Sequence, residues 1–85
     1  MPIISRFFGI IIFMFWREHG PPHFHARYGD DEVIIEIQTG KLTGDISPRV
    51  LNMVQEWREL HKQELMADWE LAEANKPLKR IKPLE

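Results

Sequence analysis

The feature that most constrains the fold is a run of ten residues near the N-terminus, FFGIIIFMFW. The run is too short to cross a bilayer as a helix, which takes about 20 apolar residues. Its aromatic and β-branched side chains favour a strand. Because side chains alternate between the two faces of a strand, both faces would be apolar. We therefore predict one central strand within ISRFFGIIIFMFWREH (residues 4–19), covered on both sides or packed against a partner subunit, with Gly9 at a bulge or a close backbone approach.

The residues after this run have the pattern of a β-hairpin. Gly20-Pro21-Pro22 ends the first strand in a rigid corner, because the proline ring restricts the backbone. HFHARY (residues 23–28) and EVIIEI (residues 32–37) then predict two paired strands around a turn at Gly29-Asp30-Asp31. A further short strand, KLT, is predicted at residues 41–43.

A helical segment follows the predicted strands. Ser47 suits the N-cap position and Pro48 suits the first helical position. Apolar residues then recur at helical spacing as far as Leu60, where the apolar face turns by roughly 100°. We therefore predict a kink or a second helix near residues 61–63, and an end to the helix before Pro77.

Together these patterns predict an α+β fold, an antiparallel β-meander of three to four strands packed against one kinked helix or two helices. The 85 residues fit a single domain. We assign residues 1–46 to the β-meander, residues 47–75 to the helical segment and residues 76–85 to an extended basic tail.

Composition limits the classes of function. The chain has no cysteine, which excludes disulfides, thiolate metal ligands and cysteine nucleophiles, and fits a reducing cytoplasm. The net charge of −2 differs from the strongly basic character of proteins held on nucleic acid by phosphate contacts alone. We expect a cytoplasmic protein without a membrane segment.

The stretch HGPPHFHARYG holds three of the four histidines. His23 and His25 are two residues apart, so on a strand they project from one face, about 6.5–7 Å apart along the chain. With His19 as a third ligand across the proline corner, they would bind zinc and leave a position open for water. Asp30 or Glu18 would supply a carboxylate ligand. No cofactor other than zinc is suggested.

The same strand face supports a second hypothesis, metal-independent cleavage of RNA. One histidine would act as the base and the other as the acid, because histidine titrates near neutral pH. Arg27 would stabilise a pentacoordinate phosphate. Tyr28 belongs to the other face of the strand and would stack on a base or donate a proton only if its side chain turned to the site. The catalytic set would then be His23, His25, Arg27 and Tyr28.

A third hypothesis gives the histidines a structural role. His23 or His25 would then bond across the sheet to Glu32 or Glu36, as oppositely charged cross-strand pairs do.

Two aromatic residues of the first strand are candidates for an interface. Trp16 ends a strand that is apolar on both faces, and Phe13 adds apolar surface to it. Aromatic residues of this kind are enriched where proteins bind each other.

Four motifs in order resemble a known family. They are ISRFFGI at residues 4–10, REHGPPHFHARYG at residues 17–29, EWRELH at residues 56–61 and PLKRIKPL at residues 77–84. The chain is similar in these motifs to the small bacterial proteins of domain-of-unknown-function family 4160. Phe13 departs from that pattern, where a more polar residue is expected.

The resemblance implies a biological setting and no catalytic residue. It implies a bacterial protein from a two-gene, toxin–antitoxin-like cassette, with a small protein encoded by the neighbouring gene as its partner. A homodimer is the alternative assembly, and RNA is the candidate substrate if the protein is a toxin-like enzyme. A protein-binding subunit is the favoured expectation, ahead of the ribonuclease and of the zinc site.

Overall fold

The computed structural model describes residues 2–85, which form five strands and two helices. In chain order these are β1 (Ile3–Phe7), β2 (Ile10–Phe13), β3 (His23–Tyr28), β4 (Asp31–Glu36), β5 (Leu42–Thr43), α1 (Pro48–Leu60) and α2 (Lys62–Glu73). The strands form one antiparallel sheet in sequential order, β1-β2-β3-β4-β5. The predicted α+β meander with helices is confirmed, with one strand more than expected.

The additional strand lies in the N-terminal segment, where β1 ends at Phe7, the first residue of the apolar run. The prediction of a single strand there is wrong, because Phe8 and Gly9 form a tight turn between β1 and β2. Both have positive φ, 49° and 81°, as the two central residues of a type I′ turn do. A Cβ on Gly9 would lie 3.4 Å from Cε1 of Tyr28. Gly9 therefore marks a chain reversal rather than a bulge.

The register gives the sheet two distinct faces. We call the first the helix face, because its residues share the core with α1 and α2. We call the second the histidine face, and its residues pair across neighbouring strands. The helix face contains Ile10, Ile12, Phe24, Ala26, Val33 and Ile35. The histidine face contains Ile11, Phe13, His25, Arg27, Glu32 and Ile34.

The helices cover the helix face around Trp57. Its ring centroid lies 5.4 Å from that of Phe7 and 5.8 Å from that of Phe24. The helical segment divides at His61, whose φ of −124° interrupts the helix. The predicted change of direction near residues 61–63 is therefore confirmed as a break between two helices. In this way α2 turns toward the end of the sheet where β3 begins.

Residues 76–85, the C-terminal strap, lie against β1 and both helices. The Ile81 amide donates to the carbonyl of Ile4 at 2.8 Å, and the Ser5 hydroxyl donates to the carbonyl of Ile81 at 3.0 Å. The Trp57 indole donates to the carbonyl of Lys82 at 2.9 Å. The strap forms neither helix nor strand, and it is packed against the rest of the fold, because Ile81 belongs to the core.

A buried carboxyl on α2 also holds the strap. Oδ1 of Asp68 accepts the backbone N–H of Lys79 at 2.9 Å, while Oδ2 is buried without a partner among residues 2–85. Burial raises the pKa of Asp68 above its usual value, and this outweighs the lowering effect of the Lys79 N–H.

Among residues 2–85, no helix has both the length and the apolar character needed to cross a bilayer.

Candidate functional site

The candidate site is formed by Glu18, His23 and His25, which we call the Glu–His–His cluster. The two histidines lie two residues apart on β3, as the sequence predicted. Glu18 lies in the connection from β2 to β3, and two hydrogen bonds, one to α2 and one to the first residue of the C-terminal strap, hold this connection. The Arg17 amide donates to the carbonyl of Ala72 at 3.2 Å, and the Trp16 indole donates to that of Lys76 at 2.9 Å.

One carboxylate oxygen joins the two imidazoles. Oε1 of Glu18 lies 2.9 Å from Nε2 of His23 and 2.9 Å from Nε2 of His25. The three ligand atoms lie within 4.8 Å of one another. The histidine side chains are almost entirely buried, whereas Glu18 is more accessible. The cluster therefore meets solvent on the side of Glu18.

The remaining ring nitrogens also face oxygen atoms. Nδ1 of His23 lies 2.8 Å from the carbonyl of Pro21, and Nδ1 of His25 lies 3.7 Å from Oε2 of Glu32. Three of the four ring nitrogens are thus within hydrogen-bond distance of an oxygen, although two neutral imidazoles carry only two N–H groups. The arrangement is satisfied either by extra protons or by one cation between the two Nε2 atoms.

Aromatic rings fix the orientation of both histidines. The Phe13 ring stacks on His25 with centroids 5.0 Å apart, and Phe15 meets the same imidazole edge-on at 4.9 Å. Trp69 of α2 lies 5.1 Å from the His23 ring. This apolar enclosure lowers the local dielectric constant and strengthens electrostatic interactions within the cluster.

The outer contacts of the histidines are those that metal-binding histidines commonly make. A metal-ligating imidazole usually directs its other nitrogen at a backbone carbonyl or a carboxylate. Pro21 supplies the carbonyl for His23, and Glu32 is the carboxylate nearest to His25. The residues present therefore fit a transition-metal ion such as Zn²⁺, which accepts imidazole and carboxylate ligands.

The structure places the other two predicted zinc ligands, His19 and Asp30, outside the cluster. His19 is exposed and lies outside the cluster, so the carboxylate of Glu18 takes the place that the sequence prediction gave to a third histidine. Asp30 lies in the turn between β3 and β4, at the opposite end of β3 from His23. The sequence indicates Glu18 and Asp30 equally as the carboxylate ligand, because local patterns do not determine the shape of the proline corner.

The predicted RNA-cleaving set is only partly assembled. Tyr28 lies three residues after His25 on β3, and its side chain projects to the opposite face, where its hydroxyl lies 3.4 Å from Nη2 of Arg49. Arg27 pairs with its cross-strand neighbour Glu32 at 3.1 Å. Arg27 thus holds the position on Glu32 that the structural hypothesis gave to a histidine, while Nδ1 of His25 lies 3.7 Å from Oε2 of the same carboxylate. Glu36 lies opposite His23, but its carboxylate accepts the hydroxyl of Thr39.

The two predicted interface residues have different surroundings. Phe13 is 0% exposed, so the expectation that it presents apolar surface to a partner is wrong for this chain on its own. It is covered by Phe15, His25 and the guanidinium of Arg27, whose Cζ lies 5.5 Å from its ring centroid. Trp16 remains 43% exposed.

Comparison with known proteins gives one match. The family model described as "Domain of unknown function (DUF4160)" matches residues 9–70, which include β2, β3, β4 and the whole Glu–His–His cluster. The chain matches no curated protein and no solved structure.

Proposed function

Since the chain belongs to the DUF4160 family, whose description assigns no activity, we propose a function from the cluster itself: binding of one divalent transition-metal ion, with Zn²⁺ as the leading candidate. The ligands would be Oε1 of Glu18, Nε2 of His23 and Nε2 of His25. Three protein ligands leave a fourth position of a tetrahedral zinc site open to water or substrate, as in catalytic zinc sites.

The observation that carries this proposal is that both Nε2 atoms converge on Oε1 of Glu18, while each Nδ1 faces an outer oxygen. A single divalent ion replaces both Nε2 protons and places positive charge beside Glu18, while each Nδ1 keeps its proton for an outer oxygen. Tetrahedral bonds of about 2.0–2.2 Å separate ligand atoms by roughly 3.4 Å. An outward movement of the partly exposed Glu18 carboxylate would lengthen its two 2.9 Å contacts toward this spacing.

The ligand types favour Zn²⁺ over Mg²⁺ or Ca²⁺. Imidazole nitrogen suits zinc and its neighbours in the first transition row, whereas magnesium and calcium prefer oxygen ligands. A water molecule at the open position would have its pKa lowered to about 7 by the ion. The protein would then be able to supply hydroxide or to polarise a carbonyl or phosphoryl oxygen.

The first experiment measures Zn²⁺ affinity and stoichiometry by competition with a chromophoric chelator, after metal has been removed from the purified protein. We expect one ion per chain for the wild type. His23→Ala and Glu18→Gln should lose this 1:1 binding, because each removes a ligand. His19→Ala is the matched control, because it removes a nearby exposed histidine outside the cluster.

Two results would contradict the proposal. One is a folded wild-type protein that takes up no Zn²⁺, and the other is a His19→Ala variant that loses binding as fully as His23→Ala. Thermal unfolding of each variant without metal separates a lost ligand from a lost fold. Co²⁺ substitution adds a visible spectrum that reports the coordination number directly.

A second candidate function is binding to a small protein encoded by a neighbouring gene, in a two-gene module of the bacterial cytoplasm. The observation that favours it is the exposed aromatic pair Phe15 and Trp16, at 37% and 43% exposure. The pair precedes Glu18 in the same connection, so a partner bound there would also cover the accessible side of the cluster. Exposed aromatic residues are common anchors in protein interfaces.

Light scattering of the protein with and without the neighbouring gene product tests this second proposal. We expect a complex of defined stoichiometry that Trp16→Ala weakens. Leu60→Ala is the control, because Leu60 is also exposed but lies at the end of α1. A mixture that scatters as two separate species, or equal weakening by both variants, would refute it.

Metal-independent RNA cleavage has weaker support and stays a prediction. Glu18 places a carboxylate against both histidines, where it would repel a phosphate, and Arg27 is paired with Glu32. Intact RNA in cells that express the wild-type protein would count against this activity. Cleavage that survives a chelator would favour it over metal-assisted chemistry.

A further inference from the structure

The Nδ1 atom of His25 is buried and has no hydrogen-bond partner among residues 2–85. The acceptor that faces it is Oε2 of Glu32, at 3.7 Å, beyond the range of a hydrogen bond. A buried polar nitrogen without a partner costs free energy, so its persistence next to a carboxylate needs an explanation.

Arg27 engages the same carboxylate. Its Nη2 atom donates to Oε1 of Glu32 at 3.1 Å, and its guanidinium lies over the ring of Phe13. Glu32 is thus positioned between a cation on the surface and an imidazole inside the histidine face. A change of its side-chain rotamer would shorten the distance to His25 at the expense of the contact with Arg27.

We propose that Glu32 is a positioning residue for the metal site, an inference that rests on the proposed function. When the ion binds Nε2 of His25, the proton of that imidazole must lie on Nδ1, and Glu32 accepts it. The resulting carboxylate–imidazole–metal series fixes the tautomer of the ring and makes Nε2 a stronger donor. Arg27 competes for Glu32 and thereby weakens metal binding.

This role predicts different effects on Zn²⁺ affinity from substituting the two residues of one ion pair. Glu32→Gln should weaken Zn²⁺ binding by about 10–100-fold, the usual effect of losing an outer partner of a metal-ligating histidine. Arg27→Gln should leave the affinity unchanged or raise it, because Glu32 becomes free to accept from His25. A purely structural role for the ion pair predicts instead that both variants weaken binding equally, since both break the same contact.

Glu36→Gln is the matched control for charge alone. It removes one carboxylate from the same face of β4, opposite His23, where the side chain contacts Thr39 rather than a histidine. We expect its Zn²⁺ affinity to remain within about twofold of the wild type, because it contacts neither histidine of the cluster. Equal losses for Glu32→Gln and Glu36→Gln would overturn the positioning role and leave only a general effect of charge.

An NMR measurement on the wild-type protein tests the same proposal without any substitution. The ¹⁵N shifts of His25 should report a protonated, hydrogen-bonded Nδ1 when Zn²⁺ is present. A zinc-loaded protein in which Nδ1 has no proton would overturn the inference while leaving metal binding intact. Failure of the wild type to bind Zn²⁺ would instead refute the proposed function, and this inference with it.

Discussion

On the helix face of the sheet, Phe24, Val33 and Ile35 belong to an apolar core that continues into α1 and α2. On the histidine face, Phe13 is buried just as completely, but it packs against an imidazole and a guanidinium. Both faces exclude water at their centres. The first gains stability from apolar contact alone, whereas the second uses aromatic rings to hold polar groups in a fixed arrangement.

The comparison separates two kinds of burial. Apolar burial stabilises the fold in proportion to the area removed from water. Burial of imidazoles beside a carboxylate is favourable only if every polar atom finds a partner, and one nitrogen of His25 has none among residues 2–85. Substitutions on the helix face should therefore change stability alone, and substitutions on the histidine face should change stability and metal binding together.

The largest expected effect is on the helix side, at Trp57. Trp57→Ala removes a fully buried ring and its hydrogen bond to the strap, so we expect the free energy of unfolding to fall by about 3–5 kcal/mol. Urea unfolding measures this loss, with Leu60→Ala on the same helix as a control that should stay within about 0.5 kcal/mol. Zn²⁺ affinity of the folded fraction should not change.

Phe13→Ala is the corresponding test on the histidine face. It should also lower the free energy of unfolding, by about 3 kcal/mol or more, because it leaves a cavity beneath His25. It should in addition weaken Zn²⁺ binding by about tenfold, since the imidazole loses the ring that orients it. Chelator competition on folded protein measures the second effect. An unchanged Zn²⁺ affinity would mean that burial on the histidine face, like burial on the helix face, affects stability alone.

A pH series tests a buried group that belongs to neither face. The folded state raises the pKa of Asp68 above 3.8, so it binds this proton more tightly than the unfolded chain does. Stability contributed by the protonated carboxyl is therefore present at low pH and is lost as pH rises through the raised value. Asp68→Asn should remove this part of the dependence of the free energy of unfolding on pH. Urea unfolding of both proteins from pH 4 to 8 measures the difference between their free energies of unfolding. If this difference does not vary with pH, the raised pKa of Asp68 is contradicted.

The smallest expected effect is at Trp16. Trp16→Phe keeps an aromatic ring but removes the indole N–H that donates to Lys76, so we expect a loss of about 0.5–1 kcal/mol. Thermal unfolding measures this loss. Because the bond holds the connection that carries Glu18, a measurable decrease in Zn²⁺ affinity should accompany it. A loss above about 2 kcal/mol would show that this connection is part of the structural core.

The sequence predicted the periodic parts of the fold well. Alternation along β3 placed His23, His25 and Arg27 on one face of the strand, as observed. The break at His61 followed from the shift in helical phase. Such patterns depend on neighbours in the chain, so they can be recognised without knowledge of the tertiary structure.

Two features could not be predicted in this way. The turn at Phe8-Gly9 lacks the usual Asn-Gly or Asp-Gly signal, and a continuous apolar run hid the reversal. The contribution of Glu18 depends on the path of residues 14–22, which is fixed by contacts with Ala72 and Lys76 far along the chain. The H-x-H pair was therefore visible in the sequence, while its carboxylate partner was one of several candidates.

The C-terminal strap has a consequence for the order of events during synthesis. Ser5 bonds to a residue 76 positions later, so the outer edge of β1 is still unpaired when both helices have been made. An unpaired strand edge is a template for association with other chains. A chain that ends before Ile81 would thus contain every residue of the Glu–His–His cluster but leave this edge of β1 open to other chains. Any fusion or tag that displaces the strap would expose the same edge in the full-length protein and promote its association with other chains.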